Sequence, residues 1–270
     1  TVSAIIRPEN TPINNSAYYA FDIWADDERE QYVTFEYPKG FKHRYLPKIK
    51  GKEHWRIIDT SQVFKNDSIV TIKINLTKTP LRIAAQEVNS SNDVRIWYEH
   101  LVQKNKPLVK KVVIGKSTEG RDMVVLDINK DNKAKKKIVV LLTRQHPPEV
   151  TGYFAFQHFL STILKKTDLS NEFLSTHRVL AFPLINPDGV DLGHWRHNAG
   201  GVDLNRDWSS YRQPEIKSIV GYIEKVKKEE KKEILIGLDF HSTWYDVFYT
   251  NEERQKTPLP NFIDDWFLAM

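Results

Sequence analysis

Short apolar runs rich in Tyr, Phe, Val, Ile and Thr fill roughly the first third of the chain, and Gly, Pro, Asn and Asp separate them at short intervals. This pattern is typical of strands joined by tight turns. The predicted strands lie within residues 16–25, 31–38, 55–64 and 69–77. Because several short strands at this spacing indicate a sandwich, we predict an all-β, sandwich-like N-terminal domain over residues 1–91.

The polar, turn-rich segment at residues 87–93 marks the end of that region. A helix is predicted to follow over residues 94–103. Asn92 or Asp93 is suited to cap this helix, because a side-chain oxygen at that position can accept a hydrogen bond from a free backbone N–H. We assign residues 92–270 to a second domain.

Strands and helices alternate in this second domain. Strands are predicted within residues 110–128 (two, around a Gly-containing turn), 136–143, 177–185 and 233–241, and helices over residues 149–166 and 215–232. Pro214 suits the first turn of the second of these helices. The alternation indicates an α/β domain with a mixed or parallel sheet. The polar connection at residues 186–214 is predicted to lack secondary structure, and a loop of this length is usually functional.

Composition narrows the function classes. The net charge is only +5, and the lysine-rich stretches at residues 129–137 and 224–232 read as solvated surface, so we expect no nucleic-acid partner. The chain has no cysteine, which excludes disulfides and thiolate ligands. No apolar run is long enough to span a membrane. Because residue 1 is not Met, we expect a periplasmic or secreted protein after signal removal, with a cytoplasmic protein as the alternative, and the oligomeric state stays open.

Three candidate metal ligands follow predicted strands. His146 lies in the turn that leaves the strand at 136–143, Glu149 lies at the start of the next helix, and His241 ends the strand at 233–241. Ligand sites of open α/β sheets gather at the carboxyl ends of strands. Two imidazoles and a carboxylate suit zinc and leave a fourth position for water. A helix N-terminus also favours the ionised form of Glu149.

Each of these residues also has an ordinary structural interpretation. A His-x-x-Glu pair occurs often by chance, as a surface histidine beside a glutamate that starts a helix. His241 alone would fit a histidine that is satisfied at a strand end. His194 and His197 compete as ligands, and we rank them lower because they lie in a loop.

Arginines are the second candidate feature. Arg196 and Arg206, with Asn205 beside the latter, lie on the long polar connection, and Arg121 lies in a turn. A guanidinium group can hold a carboxylate through two hydrogen bonds or stabilise a developing oxyanion. Any one of these arginines alone would fit a surface salt bridge. Together with a zinc site they would describe hydrolysis at the C-terminal end of a substrate.

Five segments between residues 112 and 243 resemble, in order, the motifs of zinc carboxypeptidases of the pancreatic type. They are IGKSTEGRDMVVLDI, HPPE, INPDGVDLGHWRHN, GVDLNRDW and LDFHST. The resemblance implies one Zn²⁺ held by His146, Glu149 and His241, and Arg196 as the catalytic oxyanion-stabilising residue. It implies further that Asn205 and Arg206, with Arg121, bind the substrate, which is the C-terminus of a peptide or protein.

The β-rich start of the chain and the segment DLNRDWSSYRQPE are similar to the cytosolic-carboxypeptidase branch and its bacterial relatives. This resemblance implies a mixed, eight-stranded-type sheet flanked by helices and preceded by an all-β sandwich domain. The family's general-base glutamate and its closing tyrosine lie well beyond the third zinc ligand. Only 29 residues follow His241, so we expect both residues, and the C-terminal part of the sheet, outside this chain.

Three functions remain open at this point. The resemblance favours a zinc metallocarboxypeptidase. The absence of an assigned general base also permits a catalytically inactive relative that binds peptides or glycopeptides. A zinc amide deacylase of the same fold is the third possibility, since its substrates also carry carboxylates.

Overall fold

The computed structural model describes residues 1–51, 54–66, 69–130, 134–245, 247–250 and 252–269. In the described part of the N-terminal region, the elements are strands and one 3-10 turn (Thr60–Gln62). The strands are β1 (Val2–Ile5), β2 (Ala20–Ile23), β3 (Arg29–Glu36), β4 (Lys48–Lys50), β5 (Trp55–Ile57), β6 (Val63–Asn66), β7 (Ile69–Leu76) and β8 (Leu81–Ala84). They form two four-stranded sheets, in the orders β1-β3-β7-β6 and β2-β8-β4-β5. β1 and β3 are parallel, and the other described pairs are antiparallel.

Alternating apolar side chains of both sheets meet in one buried cluster. Val33 and Phe35 of β3 point into it, as do Ile49 of β4 and Ile83 of β8. The strands predicted at 16–25, 31–38 and 69–77 are confirmed, whereas the run at 55–64 divides into β5 and β6. The 3-10 turn separates these two strands, because the carboxylate of Asp59 accepts a hydrogen bond from the backbone N–H of Ser61 (2.9 Å) and starts the turn. The sandwich and the domain division at residue 91 stay predictions.

The second region is a mixed α/β structure, as predicted. Its elements are α1 (Ser91–Lys104), β9 (Val109–Lys116), β10 (Asp122–Ile128), β11 (Lys137–Thr143), α2 (Val150–Ile163), α3 (Asp168–Thr176), β12 (His177–Phe182), α4 (Pro187–Leu192), α5 (Pro214–Glu230), β13 (Ile234–Phe240) and α6 (Phe262–Ala269), with 3-10 turns at Leu204–Arg206 and Arg254–Lys256. Five strands form one sheet in the order β13-β11-β12-β10-β9. β11 is parallel to β12 and β13, whereas β10 is antiparallel to β9 and β12.

Apolar clusters cover both faces of this sheet. Val139 and Leu141 of β11 pack with helices α1 to α3 on one face, and Ile138 and Val140 pack with α5 on the other. Successive residues of a strand point to opposite faces, so a strand buried on both faces is apolar throughout. This is the reason for the unbroken apolar run at the centre of β11.

Two local predictions were wrong. The cap of α1 is Ser90, not Asn92 or Asp93: the Ser90 hydroxyl accepts from the backbone N–H of Asp93, whose carboxylate accepts in return from the backbone N–H of Ser90. The connection at residues 186–214 is also not structureless, because α4 and a 3-10 turn lie within it. Asn186 caps α4 through the N–H of Gly189, and Pro214 begins α5 as predicted.

Among the described helices, none combines the length and the apolar character that crossing a bilayer requires.

Candidate metal centre

The three predicted metal ligands meet at the carboxyl ends of two neighbouring parallel strands. Thr143 ends β11 opposite Phe240, which ends β13, so the turn that carries His146 lies beside His241. The chain goes from β11 to β12 on one side and returns to β13 on the other. Such a reversal of strand order opens a crevice at the strand ends, where ligands bind in α/β proteins.

Glu149 lies between the two histidines. One of its carboxylate oxygens is 2.9 Å from Nδ1 of His146, and the other is 2.7 Å from Nδ1 of His241. The three residues offer ligand atoms that all lie within 4.8 Å of one another. Glu149 is the N-cap residue of α2, yet its side chain makes no capping bond and turns towards the histidines instead. The cluster is buried on the His146 side and more open at His241.

A glycine makes this approach possible. A Cβ atom on Gly152, in the first turn of α2, would lie 2.5 Å from the backbone oxygen of His241. No side chain fits at that distance, so α2 can lie against the end of β13 only because residue 152 is glycine. The backbone N–H of Gly152 also donates to Ser242 Oγ (2.9 Å), which fixes the chain just after His241.

Two further carboxylates hold the far sides of the imidazole rings. Nε2 of His146 lies 2.9 Å from Asp203, and Nε2 of His241 lies 2.8 Å from Asp239. Sequence reasoning did not name these aspartates. Asp239 lies on β13 two positions before His241, which directly follows this strand, and this spacing is a signal that the pattern contained. For Asp203, the sequence offered only its position two residues before Asn205.

The charges of the cluster are mutually stabilising. Burial opposes ionisation of Glu149, but hydrogen bonds from His146 and His241 outweigh it and lower the pKa of Glu149 to about 2. Burial also disfavours the charged form of His241, yet Asp239 and Glu149 raise its pKa to about 10. The pKa of His146 is raised in the same way by Asp203 and Glu149 against the effect of burial. The metal-free cluster therefore favours the protonated form of each histidine, and a metal that binds must displace a proton from each ring.

The donor set fits a zinc ion. Nε2–H of each ring donates to an aspartate and both Nδ1 atoms face Glu149, so loss of the Nδ1 proton would give each ring the lone pair that binds a metal. A carboxylate that accepts the other ring N–H of a ligating histidine is the usual outer partner of such a site. Two imidazoles and one carboxylate are a three-ligand set that leaves one zinc position open.

Arg196 joins the cluster through Asp203. Nε of Arg196 donates to one oxygen of Asp203 (2.7 Å), while the other oxygen of Asp203 bonds His146. The side chain of Arg196 is largely buried. Arg206 and Asn205 follow in the 3-10 turn after Asp203, whose carboxylate also accepts from the backbone N–H of Asn205 (3.0 Å). The guanidinium of Arg206 is exposed and donates to the backbone oxygen of Asn205 (3.1 Å).

Arg121 is engaged by carboxylates. Its guanidinium donates to Glu119 (2.6 Å), Asp188 (2.7 Å) and Asp191 (3.0 Å), and the pKa of Arg121 is raised, first by the hydrogen bond to Glu119 and then by the one to Asp188. These bonds tie the turn between β9 and β10 to helix α4. A substrate-binding role for Arg121 stays a prediction.

The two competing histidines have other partners. Nδ1 of His194 bonds the backbone oxygen of His197 (3.0 Å), and Nδ1 of His197 bonds Glu9 from the N-terminal region (3.0 Å). Neither belongs to the cluster of His146, Glu149 and His241, which is the metal-ligand group found among the described residues.

Comparison with known protein families gives a match over the second region, which contains the metal cluster. The zinc carboxypeptidase family matches residues 94–262. Cytosolic carboxypeptidase 6 of Caenorhabditis elegans is 24% identical over 155 residues, which are 55% of this chain and 34% of that protein. Its mouse counterpart is 28% identical over 173 residues, 58% of this chain and 32% of that protein. Cytosolic carboxypeptidase 2 of Xenopus tropicalis is 31% identical over 163 residues, 57% and 17% of the two chains. The matched part of the chain thus spans about a third or less of the length of these relatives.

Solved bacterial structures share the fold. A metallo-carboxypeptidase from Burkholderia cenocepacia superimposes with a TM-score of 0.75 at 20% identity, over 98% of this chain and 77% of the other. One from Pseudomonas aeruginosa gives a TM-score of 0.68 at 19% identity, over 90% and 64%. The resemblance to cytosolic carboxypeptidases and bacterial relatives is confirmed. The curated relatives are named as cytosolic, so the expectation of a periplasmic or secreted protein finds no support in them.

Proposed function

The chain belongs to the zinc carboxypeptidase family, and from this membership we propose that it hydrolyses the C-terminal peptide bond, or a related amide bond, of peptides. The observation that carries the proposal is the convergence of His146, Glu149 and His241, with an aspartate behind each histidine. Zinc fits this donor set, and when bound it supplies Lewis-acid activation of a carbonyl oxygen and of water.

The residues around the cluster have separate tasks in this proposal. Asp203 and Asp239 fix the tautomer and the orientation of the two imidazole rings. Arg196, whose Nε is held by Asp203, offers its Nη groups to the carbonyl oxygen of the scissile bond, where negative charge develops. Because that guanidinium is held in place beforehand, it needs no reorganisation during the reaction.

Asn205 and Arg206 bind the terminal carboxylate of the substrate. They are the second and third residues after Asp203, and the exposed guanidinium of Arg206 can take a carboxylate through two parallel hydrogen bonds. A free C-terminal carboxylate is therefore the feature that the site selects. Arg121 extends this contact along the substrate as the remaining proposed substrate-binding residue.

No general base is assigned within the described residues. The carboxylates beside the site, Glu149, Asp203 and Asp239, already pair with the histidines. The glutamate that accepts the proton of water and the tyrosine that closes over the substrate are therefore left unassigned among the described residues. The substrate is a peptide or protein C-terminus, and the cytoplasm is the compartment that agrees with the names of the relatives.

A substrate pair tests this proposal. The zinc-loaded intact protein should cleave blocked dipeptides with a free C-terminal carboxylate and should leave the same dipeptides with an amidated C-terminus uncut. Arg206→Ala should raise KM for the free acid by about tenfold, since a charge-assisted hydrogen-bond pair is lost. Arg212→Ala, at an exposed arginine after the 3-10 turn, is the matched control.

The other outcomes identify the alternative functions. Binding of the free acid without any cleavage would identify a peptide-binding protein. Cleavage of N-acyl amino acids without cleavage of dipeptides would identify a deacylase. Equal cleavage of acid and amide would contradict the role given to Asn205 and Arg206.

A further inference from the structure

A glutamate of the N-terminal region lies buried against the segment that carries Arg196. Glu9 is in the connection between β1 and β2, and only 7% of its side chain is exposed. Its carboxylate accepts hydrogen bonds from three consecutive backbone N–H groups, those of Trp195 (2.7 Å), Arg196 (3.0 Å) and His197 (2.7 Å). Nδ1 of His197 adds a fourth contact at 3.0 Å. One carboxylate thus fixes the backbone on both sides of Arg196.

The same segment is anchored by an aromatic side chain. Trp195 is 1% exposed and packs in the apolar cluster of the N-terminal region, edge-to-face with Phe41 at 5.3 Å between ring centroids. Asn10, next to Glu9, donates to the backbone oxygen of Gly201 (3.3 Å) on the same connection. The N-terminal region therefore holds the connection at residues 186–214 in two ways: its apolar cluster buries Trp195, and the carboxylate of Glu9 binds the backbone.

These contacts continue to the metal cluster. The backbone of Arg196 is held by Glu9, the side chain of Arg196 by Asp203, and Asp203 bonds the metal-ligand candidate His146. Burial alone would favour protonation of Glu9, but the backbone N–H groups outweigh it and lower its pKa, so the carboxylate is anionic. Buried charged groups make strong hydrogen bonds, and a hydrogen bond to an ionised group is about twice as strong as a neutral one.

We propose that Glu9 is a positioning residue for Arg196. By holding three consecutive backbone N–H groups, it fixes the direction in which the guanidinium leaves the chain. This role rests on the proposed function, since Arg196 matters for rate only if the site stabilises a developing oxyanion. The N-terminal region is then a structural part of the catalytic site, although no other residue of it is assigned a role there.

A double-mutant cycle with kinetic readout tests this role in the intact zinc-loaded protein. Glu9→Gln keeps the size of the side chain but places an amide N–H₂ against one of the donors, so kcat should fall about tenfold, and Glu9→Ala should lower it about a hundredfold, as a displaced catalytic group does. KM and zinc content should stay within about twofold of the unmutated protein. In an Arg196→Ala background, Glu9→Gln should change kcat by less than about twofold, because the group it positions is gone.

The cycle separates positioning from general stability. A merely structural Glu9 would lower kcat by the same factor in both backgrounds, and that result would overturn the proposal. A loss of zinc in Glu9→Gln that matches the loss of kcat would also overturn it. Glu28→Gln, at an exposed glutamate of the same region, is the control and should leave kcat, KM and zinc content unchanged.

A spectroscopic readout keeps the proposal testable without catalysis. In arginine-labelled protein, the Nε–H of Arg196 is identified by its loss in Arg196→Lys. Its proton exchange should be about tenfold faster in Glu9→Gln than in Glu28→Gln, because the bond to Asp203 is less well held. Unchanged exchange would overturn the positioning role. If the unmutated protein is inactive but the Arg196 Nε–H still exchanges faster in Glu9→Gln, the proposed function is refuted and the positioning contact stands.

Discussion

Two histidines, the half-buried His43 and the buried His146, show how differently the two regions of this molecule treat the same side chain. His43, in the N-terminal region, packs against the rings of Phe35 (5.1 Å) and Tyr19 (6.0 Å), and its Nδ1 bonds the hydroxyl of Tyr37 (2.9 Å). Burial lowers the pKa of His43 to about 4. His146, at the strand ends of the second region, faces a carboxylate on each ring nitrogen, and its pKa is raised.

The difference lies in what surrounds the imidazole rather than in how deeply it is buried. An aromatic environment penalises the cation and leaves a neutral ring that serves packing. Carboxylates on both nitrogens fix the ring orientation and hold a charge that a metal ion can replace. A histidine becomes a credible ligand when its partners are those that a metal site requires.

The strongest test of this difference is a substitution that disturbs the metal cluster but replaces none of its three ligand candidates. Gly152→Ala places a methyl group 2.5 Å from the backbone oxygen of His241, so the end of β13 must move away from α2. We expect loss of bound zinc and destabilisation by about 1–3 kcal/mol, as for other overpacked sites. Zinc analysis and denaturant unfolding measure both effects.

Gly221→Ala is the control for that substitution. Gly221 lies on α5, and a Cβ atom there would meet nothing within 4 Å. This variant should keep its zinc and gain about 0.5–1 kcal/mol in stability, since alanine favours an unobstructed helix over glycine. Equal zinc loss in the two variants would contradict the close packing assigned to Gly152.

A substitution in the apolar cluster of the N-terminal region should lower folding stability strongly and zinc affinity only slightly. Phe35→Ala removes a buried ring that packs against Tyr19 at 4.7 Å, and we expect destabilisation by about 3–5 kcal/mol. The zinc affinity of the protein that remains folded should change little, because the rings that pack against Phe35 among the described residues, those of Tyr19, Phe21 and His43, are not metal-ligand candidates. Chemical denaturation and zinc titration of the folded fraction compare the two effects. Weaker zinc binding with an unchanged free energy of unfolding would contradict the assignment of Phe35 to the folding core.

Removing the outer carboxylates should weaken the metal site and spare the fold. Asp203→Asn and Asp239→Asn each replace an anionic acceptor behind a histidine with an amide, and zinc affinity should fall by about 10–100-fold. Competition with a coloured chelator measures this change. Asp26→Asn, at an exposed aspartate of the N-terminal region, should leave the affinity unchanged. Wild-type affinity in both cluster variants would show that the aspartates do not support the ligands.

The pH dependence of stability gives a separate test of the comparison. The pKa of His43 is about 4 in the folded protein and about 6.5 when unfolded, so between these values the unfolded chain binds a proton that the folded protein does not. His43 therefore removes stability as the pH falls from about 6.5 to about 4. His43→Asn should flatten this part of the stability curve.

His100→Asn, at an exposed histidine of α1, provides the comparison for the pH experiment. Urea midpoints at several pH values between 4 and 7 would show the difference. An unchanged slope in His43→Asn would contradict the neutral, half-buried state of His43.

Much of the fold and of the site follows from local pattern. The apolar run of β11 and the elements around it predicted the α/β region, and a histidine just beyond each of two strand ends predicted the metal set. The resemblance then supplied roles for the arginines. Ser90 and Asp93 also carry the spacing of a capping box, but five consecutive polar residues, 89–93, offered competing caps, and the choice between them depends on tertiary packing.

What the sequence could not provide are the long-range contacts. Glu149 and His241 are 92 positions apart and meet only because β11 and β13 are adjacent. Glu9 reaches Arg196 from 187 positions away, and an isolated glutamate in a turn-rich segment carries no sign of that partner. Asp203 could be placed near the substrate residues, but its bond to His146 depends on how the connection after α4 folds back.

The zinc content of the purified protein is the most direct test of the account. We predict one zinc ion per chain in the unmutated protein, and none in the His146→Ala, Glu149→Ala double variant, while His158→Ala, at an exposed histidine of α2, retains the ion. Absence of zinc from the unmutated protein after equilibration with Zn²⁺, or its retention in the double variant, would contradict the central claim that these residues form the metal centre.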